Sequence, residues 1–211
     1  MTFPKFPPKK PGPFIPSSAA LDKLKDILKN RYRTTTIDFD DAADGTLINT
    51  YYAAKGVTFQ KITTQPPVSG GPVYARFSYA AETPPNVITI MQSGAECFDA
   101  YWGGIEARFT PAVCSVSIDA IAALSPEALG SDDNRPFLEI YDTSGAKKAE
   151  ILYPYRYDQP GFGTWQRLSY SAAGSTIGSI RFSCQRVGSN YTYAFFDTLI
   201  FTYNLLNLLK P

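Results

Sequence analysis

The chain has 211 residues, which fits one large domain or one domain with an appendage. Hydrophobic residues make up 44% of the chain and aromatic residues 14%, which is too much apolar material for a disordered protein. Histidine is absent, which excludes Ser-His-Asp triads, Cys-His dyads and histidine zinc motifs, and the net charge is only +1.

Charge is distributed unevenly along the chain. Residues 1–33 hold eight basic and two acidic residues, and the remainder holds 12 basic and 17 acidic residues. An acidic body lacks the basic stripe that neutralises phosphates, so nucleic acid is excluded as a general partner. No run of 18 apolar residues occurs, which predicts no membrane span. Prolines and lysines interrupt every apolar run near the N-terminus, so this segment does not have the pattern of a signal peptide. Either the chain stays inside the cell or a leader has been removed.

The first 33 residues divide into an arm and a helix. Residues 1–16 contain six prolines, which forbid a helix and favour an extended, polyproline-like arm or a solvated linker. Ser17 and Ser18 are N-cap residues for a helix of about 14 residues within 17–33. Its apolar stripe consists of Leu21, Leu24, Ile27 and Leu28. This stripe either packs on its own domain, docks a partner or pairs with copies of itself.

From Thr34 the apolar period changes from 3.6 to 2, which indicates strands. Turn-forming clusters separate about eleven of them, predicted near 34–39, 57–64, 73–80, 87–93, 104–110, 115–123, 137–142, 150–157, 165–172, 179–185 and 191–203. Without βαβ spacing, this pattern predicts an all-β, antiparallel β-sandwich over residues 34–203. One strand puts Ile180, Phe182 and Cys184 on the core face. An apolar tail, 204–211, either packs back or pairs with another chain.

A family resemblance follows from the order of short motifs, which are ThrIleAspPheAspAsp (36–41), GlyValThrPhe (56–59), PheLeuGluIleTyrAspThrSerGly (137–145), TrpGlnArgLeuSer (165–169), SerIleArgPhe (179–182) and AlaPhePheAspThrLeuIlePhe (194–201). Over about residues 34–203 the chain resembles the bacterial exported jelly-roll domains of the galactose-binding-like class, to which many carbohydrate-binding modules belong. The resemblance implies a jelly roll, an extracellular or cell-surface location, and first and last strands that lie side by side near a structural calcium ion.

Aspartates near the first strand are the candidate calcium ligands. Calcium takes six to eight oxygen ligands, which carboxylates and backbone carbonyls supply. The resemblance brings Asp197 of the last strand close to this loop, and the predicted ligands are Asp38, Asp40, Asp41 and Asp197, with Asp44 nearby. The alternative is an acidic turn whose aspartates cap their own backbone. A second acidic loop, residues 132–134, is a weaker candidate for a calcium site.

Tyrosines at alternate positions near residue 155 are the candidate sugar-binding residues. Sugar rings stack their apolar faces on Tyr and Trp, and their hydroxyls bind Arg, Asn, Gln and Asp. The predicted site comprises Tyr153, Tyr155, Arg156, Tyr157 and Asp158, with a second patch at Tyr101 and Trp102. The alternative is a core or interface stripe, because alternate aromatics also fill sandwich cores. A third patch contains Arg186, Asn190, Tyr191 and Tyr193, whereas Trp165 is interpreted as a core residue.

Catalysis has little support in the sequence. A glycosidase needs two positioned carboxylates, and nothing singles out a pair among Glu82, Glu96, Glu106, Glu139 and Glu150. Cys97 and Cys114 either close a loop, worth about 3 kcal/mol, or are buried thiols. The sequence therefore predicts a non-enzymatic carbohydrate-binding protein with a structural calcium ion and a glycan partner. The alternative is a structural or adhesive subunit that forms homo-oligomers through its arm, helix and tail.

Overall fold

A computed structural model places the chain in two units, residues 1–31 and 32–211. The structure describes residues 17–29, 31–64, 67–79, 81–90, 98–99, 104–123, 135–156, 159–184 and 193–205. In the first unit, helix α1 spans Ser18–Lys29 and confirms the predicted helix. Leu21 on its apolar stripe is 42% exposed, and Lys25 pairs with Asp22 at 3.3 Å. The arm 1–16 and the tail from residue 206 lie outside the described residues.

The second unit contains two antiparallel sheets, which confirms the predicted all-β sandwich. The strands of the larger sheet are β1 (Tyr32–Ile37), β2 (Thr46–Leu47), β5 (Tyr74–Phe77), β6 (Asn86–Thr89), β7 (Phe98–Asp99), β9 (Ser115–Ala123), β12 (Gln166–Ser171) and β14 (Tyr193–Asn204). Their order is β12-β9-β14-β6-β5-β2, and β1 and β7 also pair with β14.

The smaller sheet has six strands, which are β3 (Val57–Thr64), β4 (Pro67–Gly71), β8 (Gly104–Val113), β10 (Pro136–Asp142), β11 (Lys147–Leu152) and β13 (Ile177–Cys184). Their order is β11-β10-β13-β8-β3-β4. A short 3-10 helix, Ala53–Lys55, precedes β3.

Strand β14 organises the larger sheet. One of its edges pairs with β9, and β7, β6 and β1 pair along the other. Thr34 of β1 lies opposite Thr202 of β14, so the first and last strands are neighbours, as the family resemblance implied. The β14–β9 register shifts between Asp197 and Leu199, where Thr198 has a φ of 38°.

The core lies between the sheets and is built from alternate residues of their strands. On β13, Ile180 and Phe182 are fully buried and Cys184 is 3% exposed, which confirms the predicted inward face. The rings of Phe182 and Phe196 pack across the two sheets with centroids 5.0 Å apart. Burial of apolar side chains at these positions, at about 25 cal/mol per Å², is the main stabilising contribution.

The structure corrects one predicted strand, adds three short strands and distinguishes between the two alternatives for Cys114. The strand predicted over 150–157 is β11, which ends at Leu152, because Tyr153 leaves the sheet. The short strands β2, β4 and β7 lie outside every predicted strand. Cys114 is a free buried thiol that donates to the Thr202 carbonyl at 3.2 Å, so of the two alternatives the buried thiol is found; Cys97 lies outside the described residues. Among the helices that the structure describes, none is long and apolar enough to span a membrane.

Candidate functional site

The outer face of the smaller sheet carries an open polar cleft. In β8, Ile105 and Ala107 are fully buried, so strand alternation places Glu106 and Arg108 on the opposite face. The antiparallel register aligns one polar residue from each of five strands in a single row, which consists of Gln60, Glu106, Arg181, Glu139 and Glu150. The cleft has a volume of about 470 Å³. We call it the outer cleft, and its walls include Glu106, Arg108, Tyr141, Ser144, Ser179 and Arg181.

Glu106 is the fixed centre of this face. Its side chain is only 4% exposed and accepts hydrogen bonds from Arg108 Nε at 2.7 Å, from Arg181 Nε at 3.2 Å and from Gln60 Nε2. Burial by itself raises the pKa of Glu106, but the hydrogen bonds from Arg108 and Gln60 and the charges of both arginines leave that pKa below its ordinary value. Glu106 is therefore a carboxylate at neutral pH and holds two guanidinium groups in place.

Tyr141 lies beside this centre. The Arg181 guanidinium stacks over the Tyr141 ring at 4.6 Å from its centroid, and the Tyr141 hydroxyl donates to Glu139 at 2.7 Å. Burial and then this hydrogen bond raise the pKa of Tyr141. Two acids of the row share one lysine. Lys147 Nζ lies 2.6 Å from a carboxylate oxygen of Glu139 and 2.5 Å from one of Glu150. Each acidic group in the row thus has a basic partner.

The turn between β10 and β11 forms one wall of the outer cleft. Asp142 Oδ1 accepts hydrogen bonds from Ser144 N at 2.9 Å and from Ala146 N at 3.0 Å, which fixes the turn. On the neighbouring strand, a Cβ at Gly178 would lie 2.9 Å from Thr143 Cα. Only glycine lets this turn approach β13 so closely, so Gly178 shapes the cleft.

Of the sugar-binding residues predicted around Tyr155, the structure describes Tyr153, Tyr155 and Arg156. Tyr153 is fully buried, its hydroxyl donates to the Thr164 carbonyl at 2.5 Å, and it belongs to the interior. Tyr155 packs its ring against Gly161, where a Cβ would lie 2.7 Å from the ring, and Arg156 is exposed. Tyr153 and Tyr155 lie beyond the end of β11 at Leu152, so these two tyrosines do not share a strand face.

Several predicted residues cannot be placed. Tyr157, Asp158, Tyr101 and Trp102 lie outside the described residues, as do the loop 132–134 and most of the third patch. Trp165, interpreted as a core residue, is half-buried.

Two of the predicted calcium ligands are engaged elsewhere. Asp41 accepts the Tyr52 hydroxyl at 2.6 Å and pairs with Lys55 at 2.9 Å, and Asp38 accepts its neighbour's backbone N–H, that of Asp40, at 3.3 Å. Within the described part of the chain, no three or more acidic or cysteine side chains are grouped to hold a metal ion. Asp41 is thus engaged with Tyr52 and Lys55, 11 and 14 residues further along the chain, and Asp38 with the backbone beside it.

Asp197 is the buried member of that set. It is 0% exposed and accepts backbone N–H groups from Thr83 at 2.9 Å and Thr198 at 2.6 Å. Burial raises the pKa of Asp197 to about 6, these hydrogen bonds oppose the rise, and the charge of Asp40 adds to it. Asp40 itself accepts the backbone N–H of Asn86 at 2.9 Å. The two carboxylates are thus close enough to interact, as the family resemblance implied.

The outer face of the larger sheet carries a second group of charges. Arg167 makes a two-pronged ion pair with Asp119, at 2.7 and 2.5 Å, and the Asp119 side chain is 3% exposed. Glu82 also shares a hydrogen bond with Asp119, and burial followed by the charge of Asp119 raises the pKa of Glu82. Arg167 lies on the opposite sheet from Arg181 and, like it, is paired with a buried acid.

Sequence reasoning missed the residues of the outer cleft. In the sequence, Glu106 and Glu139 stand out only as possible catalytic acids, and alternation with Ile180 and Phe182 only turns Arg181 away from the core. A usable signal was present, because Glu106 and Arg108 are charged residues inside an otherwise apolar strand. Their partner Arg181 lies 75 residues away from Glu106 in the chain, and alternation alone does not reveal the register that joins them.

No protein-family model and no curated protein sequence matches the chain. Among solved structures, the K2 cleaved adhesin domain of Lys-gingipain has 10% identity and a TM-score of 0.45, covering 80% of this chain and 99% of that one. The C-terminal family 22 carbohydrate-binding module of Clostridium thermocellum Xyn10B has 13% identity and a TM-score of 0.41, covering 83% and 96%.

A third structure, TmCBM61 in complex with β-1,4-galactotriose, has 13% identity and a TM-score of 0.33, covering 83% of this chain and 89% of that one. These matched structures are carbohydrate-binding modules and an adhesin domain. At these identities the likeness concerns the fold alone.

Proposed function

We propose that the chain is a non-catalytic carbohydrate-binding domain that holds a glycan in the outer cleft. The observation that supports this proposal is the fixed pair of guanidinium groups beside an aromatic ring on a rigid sheet face. Arg108 is exposed, with 59% of its side chain accessible, and Arg181 is 39% exposed, so both can donate hydrogen bonds to a ligand. The hydroxyl groups of Ser144 and Ser179 add further partners for sugar hydroxyls.

Preorganisation favours binding by this face. Glu106 holds both arginines before a ligand arrives, so binding orders fewer side chains and loses less conformational entropy. The ring of Tyr141 is kept in position by Arg181 on one side and Glu139 on the other. Sites built on strands hold such geometry better than sites built on loops.

The acids of the cleft favour binding over catalysis. A glycosidase requires a protonated carboxylic acid beside a second free carboxylate. Two acids line the cleft: Glu106, which has a lowered pKa, and Asp142, which pairs with Lys148 at 2.7 Å. Both carboxyl groups hold cations and are not poised to donate a proton.

The test is a titration of the purified chain with neutral oligosaccharides, for which xylohexaose and β-1,4-galactotriose serve as probes. Saturable binding is expected, with at least a tenfold loss of affinity in Tyr141→Ala and in Arg181→Gln. Arg167→Gln is the matched control, because it also frees a buried acid but lies on the other sheet. Equal losses in Arg181→Gln and Arg167→Gln, or unchanged affinity in both cleft variants, would contradict the assignment.

We also propose that the domain acts at the cell surface or outside the cell and binds one calcium ion for stability, through Asp40 and Asp197. The support is electrostatic, since the buried Asp197 carboxylate lies near a second carboxylate and a calcium ion would neutralise both. Millimolar calcium is expected to raise the melting temperature, and chelator to reverse the rise. Asp41→Asn should keep this response and Asp197→Asn should lose it. A melting temperature that calcium does not change removes the proposal.

A further inference from the structure

A second cavity lies at the start of β3 and is bounded by β1, β8 and β14. It has a volume of about 230 Å³, and we call it the end pocket; its walls include Arg33, Thr35, Lys55, Thr110, Tyr203 and Leu205. It shares Thr110 with the walls of the outer cleft, and its other lining residues differ. No function described above uses this cavity.

Gly56 and Tyr203 fix the shape of the end pocket. Gly56 has a φ of 91°, and a Cβ there would lie 1.9 Å from the Tyr203 hydroxyl. The glycine therefore lets that hydroxyl reach the Lys55 carbonyl, to which it donates at 3.1 Å. The Tyr203 ring packs edge-on against Phe201 at 5.5 Å. This wall is rigid and presents a hydroxyl group at the cavity.

The charge of the end pocket is positive. Arg33 and Lys55 line it, and no aspartate or glutamate does so among the residues that the structure describes. Lys55 forms an ion pair with Asp41 at 2.9 Å, whereas Arg33 makes no ion pair with any described residue. The register places Arg33 opposite Tyr203 across β1 and β14, and the Arg33 charge acts on the Tyr203 hydroxyl. Arg33 is therefore an available cation at a preformed cavity.

We propose that the end pocket binds a single sugar-acid unit, with its carboxylate on Arg33. A guanidinium group pairs with a carboxylate through two parallel hydrogen bonds. The hydroxyls of Thr35, Thr110 and Tyr203 suit the ring hydroxyls of a sugar, and Pro111 and Leu205 suit its C–H edge. The volume is below the range of about 300–1,000 Å³ typical of larger ligands, which favours one ring.

The experiment is a titration of the full chain, followed by NMR, with D-glucuronate, D-glucose and acetate as probes. Glucuronate is expected to bind at least tenfold more tightly than glucose or acetate, since it alone offers both a ring and a carboxylate. Arg33→Gln should remove this preference, and Arg33→Lys should restore part of it. Arg33 is exposed, so these variants are expected to fold, which their melting temperatures check.

Variants of the outer cleft separate this inference from the proposed function. Arg181→Gln should weaken the binding of neutral oligosaccharides and leave glucuronate binding unchanged. Arg33→Gln should weaken glucuronate binding and leave the binding of neutral oligosaccharides unchanged. The inference is overturned by glucuronate binding that survives Arg33→Gln, by loss of that binding in Arg181→Gln, or by equal binding of glucose, acetate and glucuronate. Absence of glucuronate binding at millimolar concentration also overturns it.

Discussion

Replacing Asp197 with asparagine tests the electrostatics of this buried carboxyl group directly. The pKa of this buried carboxyl is raised by desolvation from 3.8 to about 6. At about 1.4 kcal/mol for each pH unit, its ionisation costs the folded state about 3 kcal/mol relative to the unfolded chain. Below about pH 4 both states hold the proton and the cost is absent. Between about pH 4 and 6 only the folded state keeps the proton, so this group makes the folded state less stable as the pH rises.

Asparagine carries no charge at either pH, so the variant lacks this dependence. It loses one hydrogen-bond acceptor for Thr83 or Thr198, a cost that does not change with pH. As the pH rises from 4 to 7, the free energy of unfolding of Asp197→Asn should therefore increase by about 3 kcal/mol relative to that of the unchanged protein.

Urea unfolding at several pH values in chelator-containing buffer measures this difference. Asp22→Asn, at an exposed helix position, controls for the loss of one negative charge. The reasoning is refuted if the difference in unfolding free energy between Asp197→Asn and the unchanged protein stays constant from pH 4 to pH 7.

Three further substitutions have expected outcomes. Gly56→Ala should lower stability by more than about 2 kcal/mol, because it combines a left-handed φ with a collision at Tyr203, and Gly145→Ala, with a φ of 83° and no atom nearby, should cost only about 1 kcal/mol; urea unfolding compares them. Glu106→Gln should destabilise the protein above about pH 5, and the loss should shrink as the pH falls, because a carboxyl with a lowered pKa contributes stability only while ionised; a variant with the same loss at pH 3 contradicts this. Tyr153→Phe should cost about 1–2 kcal/mol through its buried hydroxyl and leave glycan affinity unchanged, as measured by unfolding and by titration.

Alternation predicted the sheets well but did not reveal the residues of the outer cleft, for one physical reason. Ile180 and Phe182 alternate with polar residues because one sheet face meets the core, so a local pattern records a local cause. Tyr153 follows the same pattern but enters the interior after its strand ends, which the pattern does not distinguish. The outer cleft depends on which residues face each other across β8, β10 and β13, and that register is a property of the whole sheet.

The position of β14 has a consequence for how this chain folds. Thr34 and Thr202 are hydrogen-bonded partners 168 residues apart, and the strands that contain them pair along six positions. Contacts of such high sequence separation form late and slowly, because a long loop must close first. A ribosome must release almost the whole domain before β9 and β1 can reach their shared neighbour. During that interval both strands have open edges, so the nascent chain is exposed to intermolecular strand pairing.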